Sequence, residues 1–406
     1  MAIIVKMGKV PTEFKEALPI LQRIEKAGYE AYFVGGSVRD TLLNRPIHDV
    51  DIATSAYPSE VKELFKRTVD TGIEHGTVMI LDHGTGYEVT TFRTESGYQD
   101  YRRPDKVKFV RSLKEDLKRR DFTINALAMS ESGQITDLFG GLADMKAKII
   151  RAVGDPDERF NEDALRMMRA IRFASQLDFQ IEAKTLVGIK RHSQLLEKIA
   201  VERTHTEFVK MMTGRDAENG LDLMVATDLY QHMPGLTSRQ SQLQRMIQSH
   251  FKLINEVQVW SLLAFYFNFS SQEISQFLKS WKTANKIIDD VILTTELLFR
   301  MTADQVANWD LYRAGRQNVT NAVAILNTIS PASFSAYLTD YQKLPITDKK
   351  QLKITGGQLI KAGILKPSPE LGKVLNYLEK AVVQATVRND EQALINATTS
   401  FINEDD

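Results

Sequence analysis

Two carboxylates separated by one residue follow a glycine-rich turn near the start of the chain. The turn is Gly35-Gly36-Ser37, and the acidic pair is Asp49 and Asp51. Alternate side chains of a β-strand share a face, so both carboxylates are predicted to point the same way. Such a pair forms an oxygen site suited to Mg²⁺, whose remaining ligands are waters and substrate phosphates. The pattern therefore predicts metal-dependent phosphoryl transfer.

A third carboxylate on an adjacent strand would complete this site, and Glu88 in the segment YEVTTFR is the candidate. Glycines let a phosphate approach the backbone, and a helix starting at Ser37 would offer free N–H groups and a positive dipole end. Gly36 and Arg39 lie at that start and are predicted to hold phosphate or ribose. The alternatives are a solvated acidic pair and an ion pair between Arg39 and Asp40.

To bring the carboxylates and the glycine turn together, the chain must form a small sheet with helices packed on it. Ser37 is predicted to cap a short helix through Leu43, and the polar residues 96–105 are predicted to form an exposed, mobile loop. From Glu158 onward, strand patterns nearly vanish and apolar residues recur every three or four positions. The other predicted elements are helices over 12–27 (with a kink or a start at Pro19), 58–65 and 112–119, and strands over 31–34, 47–53, 77–82 and 87–92.

Composition narrows the class of protein without naming a function. The 406 residues, 43% of them hydrophobic, suffice for two or more domains. Lys plus Arg (52) equals Asp plus Glu (52), which argues against a wholly basic RNA coat but leaves room for a local basic surface. The absence of cysteine excludes disulfides and cysteine zinc sites. No apolar run reaches the roughly 18 residues of a membrane span, so we expect a cytoplasmic protein.

The order of residues over 35–54 is far more specific than either part alone: Gly-Gly-x-Val-Arg-Asp, then Arg-Pro-x-x-Asp-x-Asp-x-Ala-Thr. This stretch resembles motif A of the tRNA nucleotidyltransferases, the CCA-adding enzymes of the polymerase β-like superfamily. No His-Asp dipeptide occurs in the helical half, so the resemblance is to the bacterial class II enzymes without an appended hydrolase domain. Four more segments are similar to family motifs in the same order: 119–130 (RRDFTINALAMS), 137–156, 162–174 (EDALRMMRAIRFA) and 201–212 (VERTHTEFVKMM).

The resemblance implies an α+β nucleotidyltransferase head on an extended all-α neck, body and tail. The implied domains are a head with the catalytic sheet (1–150), a neck with the base-recognition helix (151–214), a body (215–320) and a tRNA-binding tail (321–406). The implied activity is template-independent addition of CCA to tRNA lacking all or part of it. Two CTP and one ATP are consumed with Mg²⁺, and pyrophosphate is released. The alternatives are a poly(A) polymerase and an enzyme that adds only CC or only A.

The segment 162–174 contains the candidates for selecting the base. Asp163 and Arg166 are three apart on a predicted helix and hence share a face. Asp offers acceptors and Arg offers donors, which matches the amino group and ring acceptor shared by cytosine and adenine. Guanine and uracil would leave buried groups unpaired, at a cost of about 1–3 kcal/mol per group. The alternative is an intrahelical ion pair without a role in recognition.

Three more arginines are candidates for the nucleotide site. Arg169 continues the three-residue spacing and is predicted to neighbour Arg166. Arg172 lies nearly opposite Asp163 around the helix, so geometry favours a structural role, whereas the resemblance places both in the nucleotide site. Arg120 matches a family arginine that contacts nucleotide; its alternative is a pair with Asp121.

The remaining expectations concern residues that brace the helices, a flexible loop, the oligomeric state and contacts with tRNA. Glu202 and Glu207 are predicted to cap or brace a neighbouring helix. The stretch 100–104 resembles the family's flexible loop, which is linked to the change from adding C to adding A. Family relatives are often dimers, so a homodimer is a further expectation. Two clusters are candidate tRNA contacts, although a solvated helix face is the commoner interpretation of each: Lys279, Trp281, Lys282 and Lys286, and Arg313 with Arg316. Lys366, in the turn 363–372, is a further candidate, and its alternative is a plain connection between helices.

Overall fold

The computed structural model describes residues 3–6, 10–47, 49–99 and 103–405. The chain divides into two compact units, Met1–Ser238 and Arg239–Asp406. Each is described by itself. The finer division into head, neck, body and tail stays a prediction.

The first unit contains every strand of the part of the chain that the structure describes. One sheet has eight strands in the order β1-β10-β9-β2-β3-β6-β5-β4, and within it only β3 and β6 run parallel. β7 and β8 form a separate antiparallel hairpin, and β11 pairs with β12 in parallel. The strands are β1 (Ile3–Lys6), β2 (Ala31–Val34), β3 (Asp51–Thr54), β4 (Thr68–Gly72), β5 (Thr77–Asp82), β6 (Thr85–Thr91), β7 (Arg93–Gln99), β8 (Arg103–Phe109), β9 (Leu127–Met129), β10 (Gln134–Asp137), β11 (Ile149–Ile150) and β12 (Gln180–Ile181).

Helices cover the sheet and then follow it in the chain. The first-unit helices are α1 (Thr12–Lys26), α2 (Gly36–Leu42), α3 (Pro58–Leu64), α4 (Leu113–Lys118), α5 (Gly141–Ala147), α6 (Pro156–Glu162), α7 (Leu165–Leu177), α8 (Ala183–His192), α9 (Val201–Met212) and α10 (Ala217–Ala226). The predicted α+β head followed by helices is confirmed, since β12 is the only strand described beyond Glu158.

Helix α1 forms as the apolar spacing predicts, and it continues through Pro19. Its buried face includes Phe14 and Leu21, and the Phe14 ring lies 4.7 Å from that of Phe33 on β2. The predicted hairpin between β5 and β6 is also present. Its two-residue turn has positive φ at His83 and Gly84, the geometry that joins twisted antiparallel strands.

Two of the predicted boundaries are wrong. The strand predicted over 47–53 begins only at Asp51, because its partner β2 ends at Val34, which pairs with Asp51, and the chain then turns at Gly35. The loop predicted over 96–105 is largely strand, because a polar sequence can still complete a backbone ladder between β7 and β8. Residues 100–102 lie outside the described residues.

The second unit is entirely helical in its described part. Its core includes Trp260 and Trp281, both fully buried, with ring centroids 4.9 Å apart. Helix α15 is interrupted at Gly315, where φ is 73°. No helix among the described residues is long and apolar enough to cross a membrane. The helices are α11 (Gln240–Ile247), α12 (Glu256–Phe267), α13 (Ser271–Ser280), α14 (Asn285–Thr302), α15 (Asn308–Ile329), α16 (Ala336–Gln342), α17 (Gly356–Lys361), α18 (Glu370–Val383) and α19 (Glu391–Asp405).

Candidate active site

An open cavity of about 520 Å³ lies in the first unit, bounded by the turn before α2, strands β3 and β6, the segment after α4, and α7. Nine of the ten residues that the sequence assigns to the site line it. Those nine are Gly36, Arg39, Asp51, Glu88, Arg120, Asp163, Arg166, Arg169 and Arg172. The remaining one, Asp49, lines an adjoining cavity of about 400 Å³ that shares Asp51 and Glu88.

The acidic side of the cavity is built by the parallel pair β3 and β6. Ile52 is paired with Val89, so the residues before them, Asp51 and Glu88, stand at the same level of the sheet. Burial raises the pKa of Asp51, Arg120 opposes that rise, and the charges of Glu88 and Asp49 add to it. Three carboxylates therefore act on one another here.

Asp49 does not occupy the strand position that alternation predicted. It lies in an irregular segment before β3, whose first residue is Asp51. The two carboxylates nonetheless share a cavity, since both line the space next to Glu88.

The donor set fits a hard divalent cation. Among the described residues no group of three Asp, Glu, His or Cys side chains is arranged to hold a metal ion. Mg²⁺ does not require one, because it is commonly held by one or two carboxylates together with water and substrate phosphates. A cation at Asp49 and Asp51 would also relieve the repulsion that raises the pKa of Asp51.

The glycine turn lies directly against this acidic side. Gly35 caps α2 with φ 72° and ψ −137°, and Gly36 is the first helical residue. Ser37 is not the cap, because it lies inside the helix and its hydroxyl donates to the Val34 carbonyl at 3.0 Å. A Cβ at Gly35 would lie 3.3 Å from Nη1 of Arg120 and 3.6 Å from Oδ2 of Asp51.

Arg39 forms the ion pair with Asp40 that was its alternative, and it also lines the cavity. Its Nε and Nη2 donate to the carboxylate of Asp40 at 3.0 and 2.8 Å. Its Nη1 donates to Oδ1 of Asn125 at 2.7 Å, and the guanidinium lies 4.9 Å from the ring centre of Phe173. The group is thus fixed on three sides at the cavity wall.

The expected alternative partner of Arg120 is wrong. Arg120 donates to Asp116 at 3.1 Å, whereas Asp121 accepts from Nε and Nη2 of Arg169 at 2.9 and 2.6 Å. Burial alone would raise the pKa of Asp121, but Arg169 and a hydrogen bond from Asn125 outweigh it and hold that pKa below its usual range. Asp121 therefore remains charged and holds Arg169 at the cavity.

Asp163 and Arg166 line the same cavity by a different route from the predicted one. Asp163 precedes α7, where its carboxylate accepts from the Leu165 N–H at 3.0 Å and pairs with Arg203 at 2.9 Å. Arg166, inside α7, pairs with Glu162 at 2.7 Å. Among the described residues the two therefore pair with other partners, so the alternative of an intrahelical ion pair between them is wrong.

Arg166 also donates to the Arg119 carbonyl at 2.8 Å. That carbonyl belongs to the residue that ends α4. The proposed base-reading arginine is therefore attached to the segment that carries Arg120.

Arg172 reaches the cavity despite its predicted position nearly opposite Asp163. Its Nε donates to Glu207 and its Nη1 to Gln176, and its guanidinium lies 3.9 Å from the ring centre of Phe173. Burial lowers the pKa of Arg172, and Glu207 opposes that change. Glu207 on α9 thus braces α7, as predicted.

Several residues at the cavity were missed from the sequence. Phe173 lies under three guanidinium groups, those of Arg39, Arg169 and Arg172. Its four-residue step from Arg169 was a usable signal. The contacts of Asn125 and Arg203 join distant segments, and nothing in local spacing reveals them.

Three segments of the chain match families of known proteins. Residues 31–151 match the family described as Poly A polymerase head domain. Residues 178–239 match "Probable RNA and SrmB- binding site of polymerase A", and 251–398 match "tRNA nucleotidyltransferase domain 2 putative". The fold and these matches define a nucleotidyltransferase.

Relatives of nearly the same length identify the family. The chain is 56% identical to a CCA-adding enzyme of Limosilactobacillus fermentum over 98% of this chain and 99% of that protein. It is 53% identical to one of Pediococcus pentosaceus, over 98% and 100%. A crystal structure of the Bacillus stearothermophilus CCA-adding enzyme in complex with CTP matches with 37% identity, TM-score 0.87, and 97% and 99% coverage. The chain belongs to the CCA-adding enzyme family, which confirms the resemblance found in the sequence.

Proposed function

We propose that this protein adds the 3′-terminal CCA sequence to tRNA without a nucleic-acid template. The observation that carries the proposal is one cavity with the sheet carboxylates on one side and Asp163 and Arg166 on the other. The full-length similarity to CCA-adding enzymes supplies the substrates: CTP, ATP and tRNA lacking all or part of CCA. The 3′-hydroxyl of the tRNA attacks the α-phosphorus, and pyrophosphate leaves.

Asp49 and Asp51 would hold Mg²⁺, with Glu88 as a neighbouring third carboxylate. The ion supplies charge neutralisation for the attacking and leaving oxygens. Arg120 lies close to the turn at Gly35, and its charge acts on Asp51, so a triphosphate bound there would meet a cation. The start of α2 at Gly36 has no side-chain cap and adds backbone donors.

Arg39, Arg169 and Arg172 would hold the ribose and phosphates. All three surround the ring of Phe173, and each has an acidic partner that fixes its guanidinium. Fixed guanidinium groups need little reorganisation during the reaction, which is the basis of electrostatic stabilisation.

Asp163 and Arg166 would read the base edge. Both have partners that fix the direction of their side chains. A base whose edge does not match them would therefore enter the site with its own polar groups unpaired, at a cost in binding free energy. This arrangement favours cytosine and adenine over guanine and uracil.

The poly(A) polymerase alternative is not favoured, although the head domain carries that family description. The relatives over the full chain are CCA-adding enzymes at more than half identity. Which residues hold tRNA remains a prediction. Lys279, Lys282 and Lys286 are exposed, whereas the burial of Trp281 contradicts its use as an RNA contact. A homodimer and a cytoplasmic location also remain predictions.

The test uses tRNA transcripts ending before CCA, after C and after CC, incubated with each NTP alone and with all four. We expect two C from CTP on the shortest transcript, one A from ATP on the transcript ending in CC, and a stop after CCA. Long A tails from ATP alone would identify a poly(A) polymerase. Addition that stops at CC, or that occurs only with A, would identify a partial enzyme.

A further inference from the structure

We propose that Asp116 is a positioning residue that aims Arg119 and Arg120 at the triphosphate of the incoming nucleotide. The proposal deepens the proposed function and rests on it. Asp116 lies in α4, outside the assigned site residues, and its side chain is only 1% exposed. It does not line the cavity itself, whereas both arginines do.

One carboxylate holds both guanidinium groups. Oδ1 of Asp116 accepts from Nε and Nη2 of Arg119 at 3.0 and 2.7 Å. Oδ2 accepts from Nη2 of Arg120 at 3.1 Å. The backbone N–H of Arg93, at the start of β7, donates to Oδ1 at 3.4 Å. The two oxygens are therefore divided between the two arginines.

The charges determine what this cluster can bind. Both guanidinium groups are cationic, and both line the cavity. Burial would raise the pKa of Asp116, but Arg119 and Arg120 outweigh it and hold that pKa below its usual range. Asp116 stays ionised and holds two cationic groups at the cavity, where a triphosphate is their natural counterion.

Arg120 is the group whose direction depends most clearly on Asp116. Its Nε is buried without a hydrogen-bond partner among the described residues. Its Nη1 lies against Gly35, and its charge acts on Asp51. The hydrogen bond to Asp116 therefore fixes this guanidinium beside the predicted metal ligands.

The variant Asp116→Asn tests the orientation of Arg120 while keeping the size of the buried side chain. An amide keeps the size and one acceptor oxygen, which can still serve Arg119. The amide nitrogen then meets Nη2 of Arg120, donor against donor. We expect CTP affinity to fall about tenfold, since a charge-assisted hydrogen bond contributes on this scale. Binding of CMP, which lacks the β- and γ-phosphates, should stay unchanged.

The experiment measures equilibrium binding of CTP and CMP to the full chain, with Mg²⁺, for wild type and variant. A lower ratio of CTP to CMP affinity supports the proposal, together with KM values for CTP and ATP that rise in parallel while preference over UTP is kept. An unchanged ratio in folded Asp116→Asn protein overturns it. If that variant does not fold, Asp116→Glu keeps the charge but moves the carboxylate by one methylene, and the same two outcomes apply.

Asp144→Asn is the matched control. Asp144 is also buried and charged, and it accepts from Thr123 and Arg151, but it does not line the cavity. Its variant should lose stability without changing the ratio of CTP to CMP affinity, and an equal loss of that ratio would overturn the proposal. The binding assay requires no incorporation, so a wild-type protein that binds CTP but adds no CCA refutes the proposed function alone.

Discussion

Replacing Gly35 with alanine should damage the site through one added methyl group. The backbone there has φ 72° and ψ −137°, a region that side chains other than glycine rarely occupy. Holding alanine in it costs about 1–3 kcal/mol of folding free energy. The new Cβ would also lie 3.3 Å from Nη1 of Arg120 and 3.6 Å from Oδ2 of Asp51, so the arginine must move by a few tenths of an ångström.

Catalysis should suffer as well as stability. A displacement of this kind disturbs Arg120, the group proposed to meet the triphosphate, and a misplacement of about 1 Å can lower rates about 100-fold. We expect kcat for C addition to fall about 10- to 100-fold in Gly35→Ala. The assay is single-turnover C addition to a tRNA transcript ending before CCA, with urea unfolding of the same samples.

Gly28→Ala provides the control for backbone strain. Gly28 also has positive φ, 89°, but a Cβ there meets nothing within 4 Å. That variant should lose stability while keeping wild-type kcat. Equal kcat losses in both variants, or full activity in Gly35→Ala, would refute the reasoning.

Three further variants test separate parts of the site and fold. Asp51→Asn should abolish incorporation while leaving the unfolding transition in place, because Asp51 is proposed to bind the ion; retained incorporation would contradict that role. Asp121→Asn should lower the unfolding free energy at pH 7 by about 2–3 kcal/mol, less than a fully buried pair because Arg169 is one-third exposed. Since the pKa of Asp121 is depressed, its contribution is present above about pH 4 and is lost as pH falls, so urea unfolding should show a smaller difference between variant and wild type in acid. Trp281→Ala should destabilise by about 3–5 kcal/mol through a cavity beside Trp260, and weaker tRNA binding without lost stability would restore an RNA contact there.

Turn residues and apolar spacing in the sequence predicted many elements of the head. The strand before Gly35, the short helix after it and the hairpin at His83 and Gly84 all form within a few residues of the prediction. Turn residues and alternation act over short distances, so they can be read directly. The start of β3 at Asp51 could not be read this way, because it depends on where its partner β2 ends.

Family motifs carry all the assigned residues except Glu88, which was chosen as a carboxylate on an adjacent predicted strand. The partners of these residues could not be read in the same way. Arg169 pairs with Asp121, 48 positions away, and Asp163 pairs with Arg203, 40 positions away. Such pairs depend on how α7 packs against other segments. The pair of Arg120 with Asp116 is different, since the four-residue spacing was visible in the sequence.

Side chains of this protein, rather than a nucleic-acid template, are proposed to select the base. Arg166→Ala tests it most directly, by equilibrium binding and incorporation of each of the four NTPs. Arg45→Ala is the control, because Arg45 also donates to a backbone carbonyl, that of Gln176, yet lies outside the cavity.

We predict that the preference of Arg166→Ala for CTP and ATP over UTP and GTP falls about 10- to 100-fold, as expected for one or two buried groups left unpaired. Arg45→Ala should keep the wild-type preference. A wild-type preference in Arg166→Ala, measured by binding even where incorporation is slow, would contradict the claim.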